Sequence, residues 1–330
     1  MNRIPTLAPL TLGTMSVWPP VMSAPMAGYT GAVYREILRE HGCPYCYTEM
    51  VSAKGLIFGG GGSREILEHG PSDRPLAVQL FGDDPEEIAR AVGIIHDLGC
   101  EFDAIDLNMG CPARKVTSQG SGGALLKDLE RAADIIRAVK SATNLPVTAK
   151  TRLGWDDPDH VVEVARELQE AGLDMLAIHG RTVSQGYSGT ADWRKIYLAA
   201  SSVSIPVVGN GDVRTPQEAL SRMEGGPVSG VMVGRALLGN PTFFEDLDLL
   251  LRAEEPREHS AEERMALAAD HFRRSVEAYG EQRGVLDMRK QLVFYFRGIP
   301  GASRLRETLM KEKSAAGVLE ILERRWRENS

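Results

Sequence analysis

Cys111 stands in the stretch DLNMGCPARKVTSQGSGGALL, residues 106–126, after an asparagine and a glycine and ahead of a proline. Arg114 and Lys115 follow closely, so a single thiol is presented on a turn beside two cations. Elsewhere, polar side chains interrupt otherwise apolar runs at Gln79, Asn108, Lys150, His179 and Asn210. One such group reads as a satisfied core residue; five at one level of separate runs describe a lined cavity. Lys150 is the most informative of them. In VTAKTR it shares a face with Thr148 and Arg152, and a buried ammonium must find an anion or lose its proton. No carboxylate occurs in its own run, which leaves a bound anion or an acid from another strand, such as Asp106. The motifs NGD (210–212) and GR (234–235) add glycine amides and the forked donor of Arg235, a chemistry suited to phosphate.

These residues need a frame. Strand-length apolar runs occur at 21–28, 45–53, 76–82, 102–109, 146–154, 175–182, 206–212 and 230–238, with amphipathic helical stretches between them. DDPEEIARAVGIIHDLG carries helix start and stop signals, and DDPDHVVEVARELQEAG repeats the design. Eight alternating units of this kind need parallel strands and predict a (β/α)8 TIM barrel. A doubly wound open sheet is the competing arrangement, but PMAGYTG after the first strand is not its glycine fingerprint. In a barrel the polar residues fall at the C-terminal ends of the strands, where chemistry gathers. The loops after strands seven and eight form that fold's common phosphate site. AEEPREHSAEE (253–263) reads as a polar linker, and only helical patterns follow it. The expected division is a barrel domain over 1–252 and a small all-α domain over 257–330.

The chain has 330 residues, an ordinary 43% hydrophobic content and a net charge of −7. That acidity argues against bulk attraction to nucleic acid, yet residues 283–313 hold eight basic and three acidic side chains, enough for a local basic surface. No apolar run approaches the ~20 residues of a membrane span, and MNRIPTLAPL lacks a signal peptide's apolar core. A cytoplasmic protein is expected, with no metal, and nothing implies an oligomer. Four cysteines do not suggest a disulfide framework. CPYC (43–46) is a redox pair, half a metal site, or two plain thiols before a strand, and no second Cys or His pair completes a zinc site. FGGGGS (58–63) lacks the ending of a phosphate loop and reads as a flexible segment over the barrel mouth.

Taken in order, APMAG (24–28), VQLFG (78–82), DLNMGCP (106–112), AKTRLGW (149–155), IHGRT (178–182), the YSGTADW segment (187–193), GNGD (209–212) and VGRALLGNP (233–241) resemble the dihydrouridine synthase family. Those flavoenzymes reduce uridines in tRNA. The tail MRKQLVFYFRGIPGASRLR (288–306) resembles their helical RNA-recognition region, nearest the bacterial B subtype. The resemblance implies that Pro25, Met26, Ala27, Gln79, Lys150, His179, Asn210, Gly211, Asp212, Gly234 and Arg235 hold FMN, with NADPH as reductant and tRNA as partner. Asn108 is expected to touch flavin or substrate. Arg114, Lys115, Arg152 and Arg181 are candidates for nearby phosphates or the base, and Arg289, Lys290, Arg297, Arg304 and Arg306 for the tRNA backbone.

On that resemblance Cys111 acquires a role. Reduction of the uracil C5–C6 bond needs a hydride at C6 and a proton at C5, and the proton donor must lie across the base from the flavin. Thiols ordinarily titrate near ~8.5 and stay protonated at neutral pH, whereas carboxylic acids do not. The glycines after Cys111 are expected to let its loop close over the base. A free-pyrimidine flavoenzyme resembling dihydroorotate dehydrogenase is the nearest alternative, and a non-catalytic tRNA-binding barrel is a second.

Overall fold

The computed structural model describes residues 7–325; the first residues of MNRIPTLAPL, the outer ends of both expected domains and the end of the last helical pattern lie outside them. The described residues form ten strands: β1 (Leu10–Leu12), β2 (Met15–Val17), β3 (Val21–Ser23), β4 (Cys46–Ser52), β5 (Leu76–Phe81), β6 (Ala104–Met109), β7 (Val147–Arg152), β8 (Met175–His179), β9 (Val207–Asn210) and β10 (Gly230–Val233). Strands β3 to β10 form one parallel sheet in the order β3-β10-β9-β8-β7-β6-β5-β4. The Ser23 N–H donates to the Tyr45 carbonyl at 3.1 Å, which brings the two ends of the sheet together. This is the (β/α)8 barrel, and all eight predicted strands are in it. The antiparallel hairpin β1-β2 has no counterpart in the sequence reading; three-residue strands leave too short a pattern to recognise.

Period-two alternation sorts the strand residues into two apolar layers. Ile105, Leu107, Val147, Ala149, Leu176, Ile178, Val231 and Val233 pack outward under the helices. Met22, Tyr45, Tyr47, Ala77, Ala104, Met175, Ala177, Val208 and Met232 point inward, joined by Leu10, Leu12 and Val17 of the hairpin. The hairpin therefore plugs the lower end. Above this apolar floor the inward positions turn polar, because the register aligns Asn108 with Lys150 and Arg152 with His179 and Asn210.

The helices follow their start signals. Asp84 accepts from the Glu87 N–H ahead of the helix Pro85–Asp97, with Pro85 at its first position. The second such stretch begins as a 3-10 turn, Pro158–His160, before its helix Val161–Glu170. The linker is shorter than expected, because Ser260 and Glu263 form a capping box that starts the helix Ala261–Tyr279 inside AEEPREHSAEE. Helices Glu281–Tyr295, Ala302–Lys311 and Ala315–Glu320 complete this region, whose apolar cluster of Met265, Phe272, Met288, Tyr295, Leu309 and Leu322 is separate from the barrel's.

The helical region rests on the barrel rim. Arg274 pairs with both oxygens of Glu40, the ring of Tyr34 stacks on His271 at 4.8 Å, and Tyr29 meets Phe294 edge-on at 5.9 Å. Gly239 makes the closest approach: a Cβ there would lie 2.5 Å from the Phe294 carbonyl carbon and 2.7 Å from the Tyr295 nitrogen, and its φ is +69°. FGGGGS is part of this seam. It forms a turn and the short helix Gly61–Ile66, and Glu65 pairs with Arg283 of the helical region. Gly62, Glu65 and Ile66 line a crevice there, and no residue of 58–63 lines the cavity at the barrel mouth. Gly239→Ala should destabilise the chain by about 1–3 kcal/mol through backbone strain and overpacking. Denaturant midpoints of the two proteins measure this, and equal midpoints would show that the close approach is not a constraint.

Candidate active site

At the C-terminal end of the barrel two connected lobes open, of about 630 and 390 Å³. Both are bordered by Pro25, Met26, Lys150, Arg152, Tyr187, Arg235, Phe294 and Arg297, and their size suits a cofactor with its substrate. Cys111, Asn108, Gln79 and Ala27 border the smaller lobe; His179, Asn210, Gly211, Asp212 and Gly234 border the larger. All eleven residues expected to hold a flavin thus converge on one cavity.

The thiol is held by a braced turn. The Asn108 side-chain oxygen accepts from the N–H groups of Gly110 at 3.3 Å and Cys111 at 3.0 Å. Arg152 Nε donates to the Gly110 carbonyl at 2.9 Å, and the Gly123 N–H donates to the Cys111 carbonyl at 3.0 Å. Gly110 itself packs so tightly on β7 that a Cβ would lie 3.0 Å from the Thr151 carbonyl carbon. Of the glycines behind Cys111 that were expected to let its loop close, Gly120 is exposed, whereas the next two are packed in place. Gly122 and Gly123 are buried beneath the turn, and a Cβ on Gly123 would meet the Val183 methyls at 2.6 and 2.7 Å. Their smallness serves packing.

Below the turn lies a chain of buried amides. Asn108 donates to the Gln79 oxygen at 2.9 Å, Gln79 donates to Asp106 at 2.7 Å, and the Thr148 hydroxyl donates to the other Asp106 oxygen at 2.6 Å. Burial raises the Asp106 pKa to about 6, against the lowering effect of those hydrogen bonds and of Lys150. Lys150 is pushed down to about 8 by burial and by Arg152, with Asp106 and Cys111 acting upward. Among the described residues it forms no ion pair, and the Asp106 oxygens accept from Gln79 and Thr148. His179 is driven to about 2 by burial and by Lys150, Arg152, Arg181 and Arg235, so its ring is neutral. Its buried Nδ1 has no hydrogen-bond partner among the described residues. A cavity with surplus cations and an orphaned ring nitrogen is built for an anionic, polar ligand.

Three of the cations have structural work that the sequence did not show. Arg181 is buried and does not reach the cavity. It pairs with Asp212 at 2.8 Å and donates to the Ser188 and Gly189 carbonyls, so it braces the rim and lies outside the cavity lining. Burial acts upward on Asp212, but the Arg181 hydrogen bonds, the Ala191 N–H and the Arg235 charge hold its carboxyl below the usual range. Arg289 is half-buried and donates to the Glu312 carbonyl within the helical region, so that donor is not turned toward a nucleic-acid backbone. Arg152 lines both lobes but also donates to the Thr182 and Gly186 carbonyls at 2.8 and 2.7 Å, tying the Cys111 turn to the loop that carries Tyr187.

Arg114 and Lys115 are exposed on the short helix Arg114–Thr117, outside the cavity lining. Lys290 lies at the rim, 5.6 Å over the Tyr29 ring. Arg304 and Arg306 are exposed on the helix Ala302–Lys311. Arg297 is held below the usual arginine range by burial, Arg306 and Arg235, and it lines both lobes together with Arg235. Sequence reasoning missed Tyr187, Phe294 and Arg264 at the mouth. Tyr187 is 64% exposed, with Arg152 and Arg235 at 5.6 and 5.3 Å from its ring. An aromatic residue in a Gly/Ser-rich loop at the catalytic end was its signal. Phe294 and Arg264 carried none, since only docking of the helices aims them at the barrel.

The free thiols Cys43 and Cys46 lie 3.6 Å apart, buried at the start of β4 and so at the opposite end of the barrel from Cys111. The described residues hold no His, Cys, Asp or Glu group arranged for a metal ion, and no helix long and apolar enough to cross a membrane.

The dihydrouridine synthase family model matches residues 22–329. The chain belongs to that family. It is 36% identical over 96% of its length to a probable tRNA-dihydrouridine synthase 1 of Synechocystis, covering 88% of that protein. It is 38% identical over 86% of its length to tRNA-dihydrouridine synthase B of Pseudomonas aeruginosa, covering 85% of it, which supports the B subtype. A solved histamine dehydrogenase from Rhizobium superposes with a TM-score of 0.55 at 14% identity, over 80% of this chain and 50% of that one, a likeness of fold.

Lys150 gives the site a measurable signature. Burial and Arg152 lower its pKa to about 8, within reach of ordinary buffers, and an anionic ligand in the cavity favours the charged form. Titration of the protein with FMN as an anionic probe at pH 8 should therefore take up protons, and uptake should shrink toward pH 6.5. Calorimetry in buffers of different ionisation enthalpy reads it, and Lys150→Met should abolish it. Uptake that survives Lys150→Met would assign the proton elsewhere.

Proposed function

We propose that this chain reduces the C5–C6 double bond of uridines in tRNA, with FMN as the bound cofactor, NADPH as the electron source and the cytoplasm as its place of work. The observation that carries the reading is Cys111, fixed on a braced turn at the edge of a cavity whose other lobe is lined with cations, glycines and an unpartnered histidine nitrogen. Family membership and the relatives' names agree with it.

The residues present fit FMN. Gly211 and Gly234 border the larger lobe without side chains, Arg235 and Lys150 supply charge, and the His179 Nδ1 lacks a partner. Reduced FMN, when bound, supplies a hydride. The protein's part is to place the uracil ring, keep water from it and hold a proton at the Cys111 sulfur for C5, while C6 receives the hydride. The thiolate left behind regains its proton from solvent, so the net addition is one hydride and one proton per uridine. A uridine in folded tRNA must leave its stack to enter such a cavity. Tyr187 and Phe294 offer apolar walls at the mouth, and Arg306, Arg297 and Arg235 offer phosphate contacts leading inward. That path separates the reading from a free-pyrimidine reductase, which has no use for it. The thiol and its braced turn separate it from a binding protein without catalysis.

Cys111→Ala should keep FMN and be bleached by NADPH, yet lose roughly a hundredfold or more in the rate of dihydrouridine formation on unmodified tRNA. An unchanged rate would remove Cys111 as the acid. Wild-type protein that reduced free uridine as well as tRNA would favour the free-pyrimidine alternative. Replacing Arg304 and Arg306 by alanine should weaken tRNA binding and flatten its dependence on salt. A titration series over salt concentration checks this, and identical slopes would place the RNA elsewhere.

A further inference from the structure

Asp106 faces the barrel interior beneath the cavity and lines neither lobe. It is completely buried and touches no residue of the Cys111 turn directly. We propose that Asp106 is a positioning residue for Cys111, setting the direction of a hydrogen-bond relay that runs through Gln79 and Asn108 to the turn.

The reasoning is one of donor and acceptor polarity. A carboxylate can only accept. Facing Asp106, Gln79 must therefore turn its NH2 group downward, as the 2.7 Å contact shows, which leaves its oxygen upward. That oxygen accepts from the Asn108 NH2 at 2.9 Å, so the Asn108 oxygen is left for the turn. It accepts there from two successive backbone N–H groups, at 3.3 and 3.0 Å. Had Gln79 been flipped, Asn108 would flip too, and its NH2 would confront the N–H groups of Gly110 and Cys111, donor against donor. The relay occupies two neighbouring strands in register, β5 and β6, with Gln79 opposite Asp106 and Asn108 two residues further along β6. Its members are buried or half-buried, where a mismatched donor costs most.

The proposal rests on the catalytic reading above only for its consequence; the relay itself is tested on the thiol. Asp106→Asn keeps the shape and an acceptor for Gln79, with its NH2 able to donate to the Thr148 hydroxyl, and discards the charge. Asp106→Leu discards the acceptor. In flavin-free protein, alkylation of Cys111 by iodoacetamide, followed by mass spectrometry of its peptide, should be several-fold faster in Asp106→Leu than in wild type or Asp106→Asn. Gln79→Leu should give the same increase, and the double variant Asp106→Leu/Gln79→Leu no further one, because the two act in series. In the loaded enzyme Asp106→Leu should be reduced by NADPH at close to the wild-type rate. Its tRNA-dependent reoxidation should fall roughly ten- to a hundredfold, with Asp106→Asn restoring most of it.

Equal slowing of both half-reactions, or Cys111 alkylation unchanged in Asp106→Leu, would overturn the proposal. Should Asp106→Leu not fold, Gln79→Leu alone decides: an unchanged alkylation rate sinks the relay. If wild-type protein neither holds flavin nor acts on tRNA while alkylation responds as described, the catalytic reading fails and the relay stands.

Discussion

Inside a closed ring of parallel strands there is little room for water, so each polar side chain that points inward needs a partner from another strand or from a ligand. That constraint organises this molecule. The lower half of the ring meets it by being apolar, down to the hairpin plug of Leu10, Leu12 and Val17. The upper half meets it by pairing Thr148, Asp106, Gln79 and Asn108 in series. Among the described residues, Lys150 forms no ion pair and the His179 Nδ1 has no hydrogen-bond partner, and both face the same cavity.

The same economy explains the rim. Arg152 and Arg181 are long, buried and forked, and each spends donors on backbone carbonyls of the loops around it. Arg152 joins the turn after β6 to the loop after β8, so the thiol and Tyr187 are held by one guanidinium. Arg181 and Asp212 do the same for the loops after β8 and β9. Planar five-donor groups suit this role better than a lysine, whose point charge cannot span two carbonyls in fixed directions.

The helical region is part of the site as well as a platform beside it. Phe294 and Arg297 line both lobes, and Arg264 lines the larger. The seam that aims them runs through Gly239, the Tyr34–His271 stack and the Arg274–Glu40 pair. A large substrate engaged by the exposed arginines of the outer helices would thereby touch elements that also shape the cavity mouth.

The barrel, its eight strands and the convergence of its polar residues were legible from the chain alone, because period-two alternation and helix start signals are local and repeat along it. Cys111 and the other cavity-lining residues at the strand ends were legible too, since each is carried by a short motif there. Three things were decided only by the tertiary structure. Gly122 and Gly123 follow Cys111 in sequence as a flexible loop would, yet Val183, sixty residues on, fills the space that would make them mobile. Arg181 reads as a free cation beside the site, but Asp212 and two carbonyls from a folded-back loop consume it. Asp106 reads as an acid for Lys150, and only the register of three strands turns it toward Gln79 and Thr148 instead. A side chain's type is written in the sequence, but whether its hydrogen-bonding capacity is already spent depends on groups far along the chain.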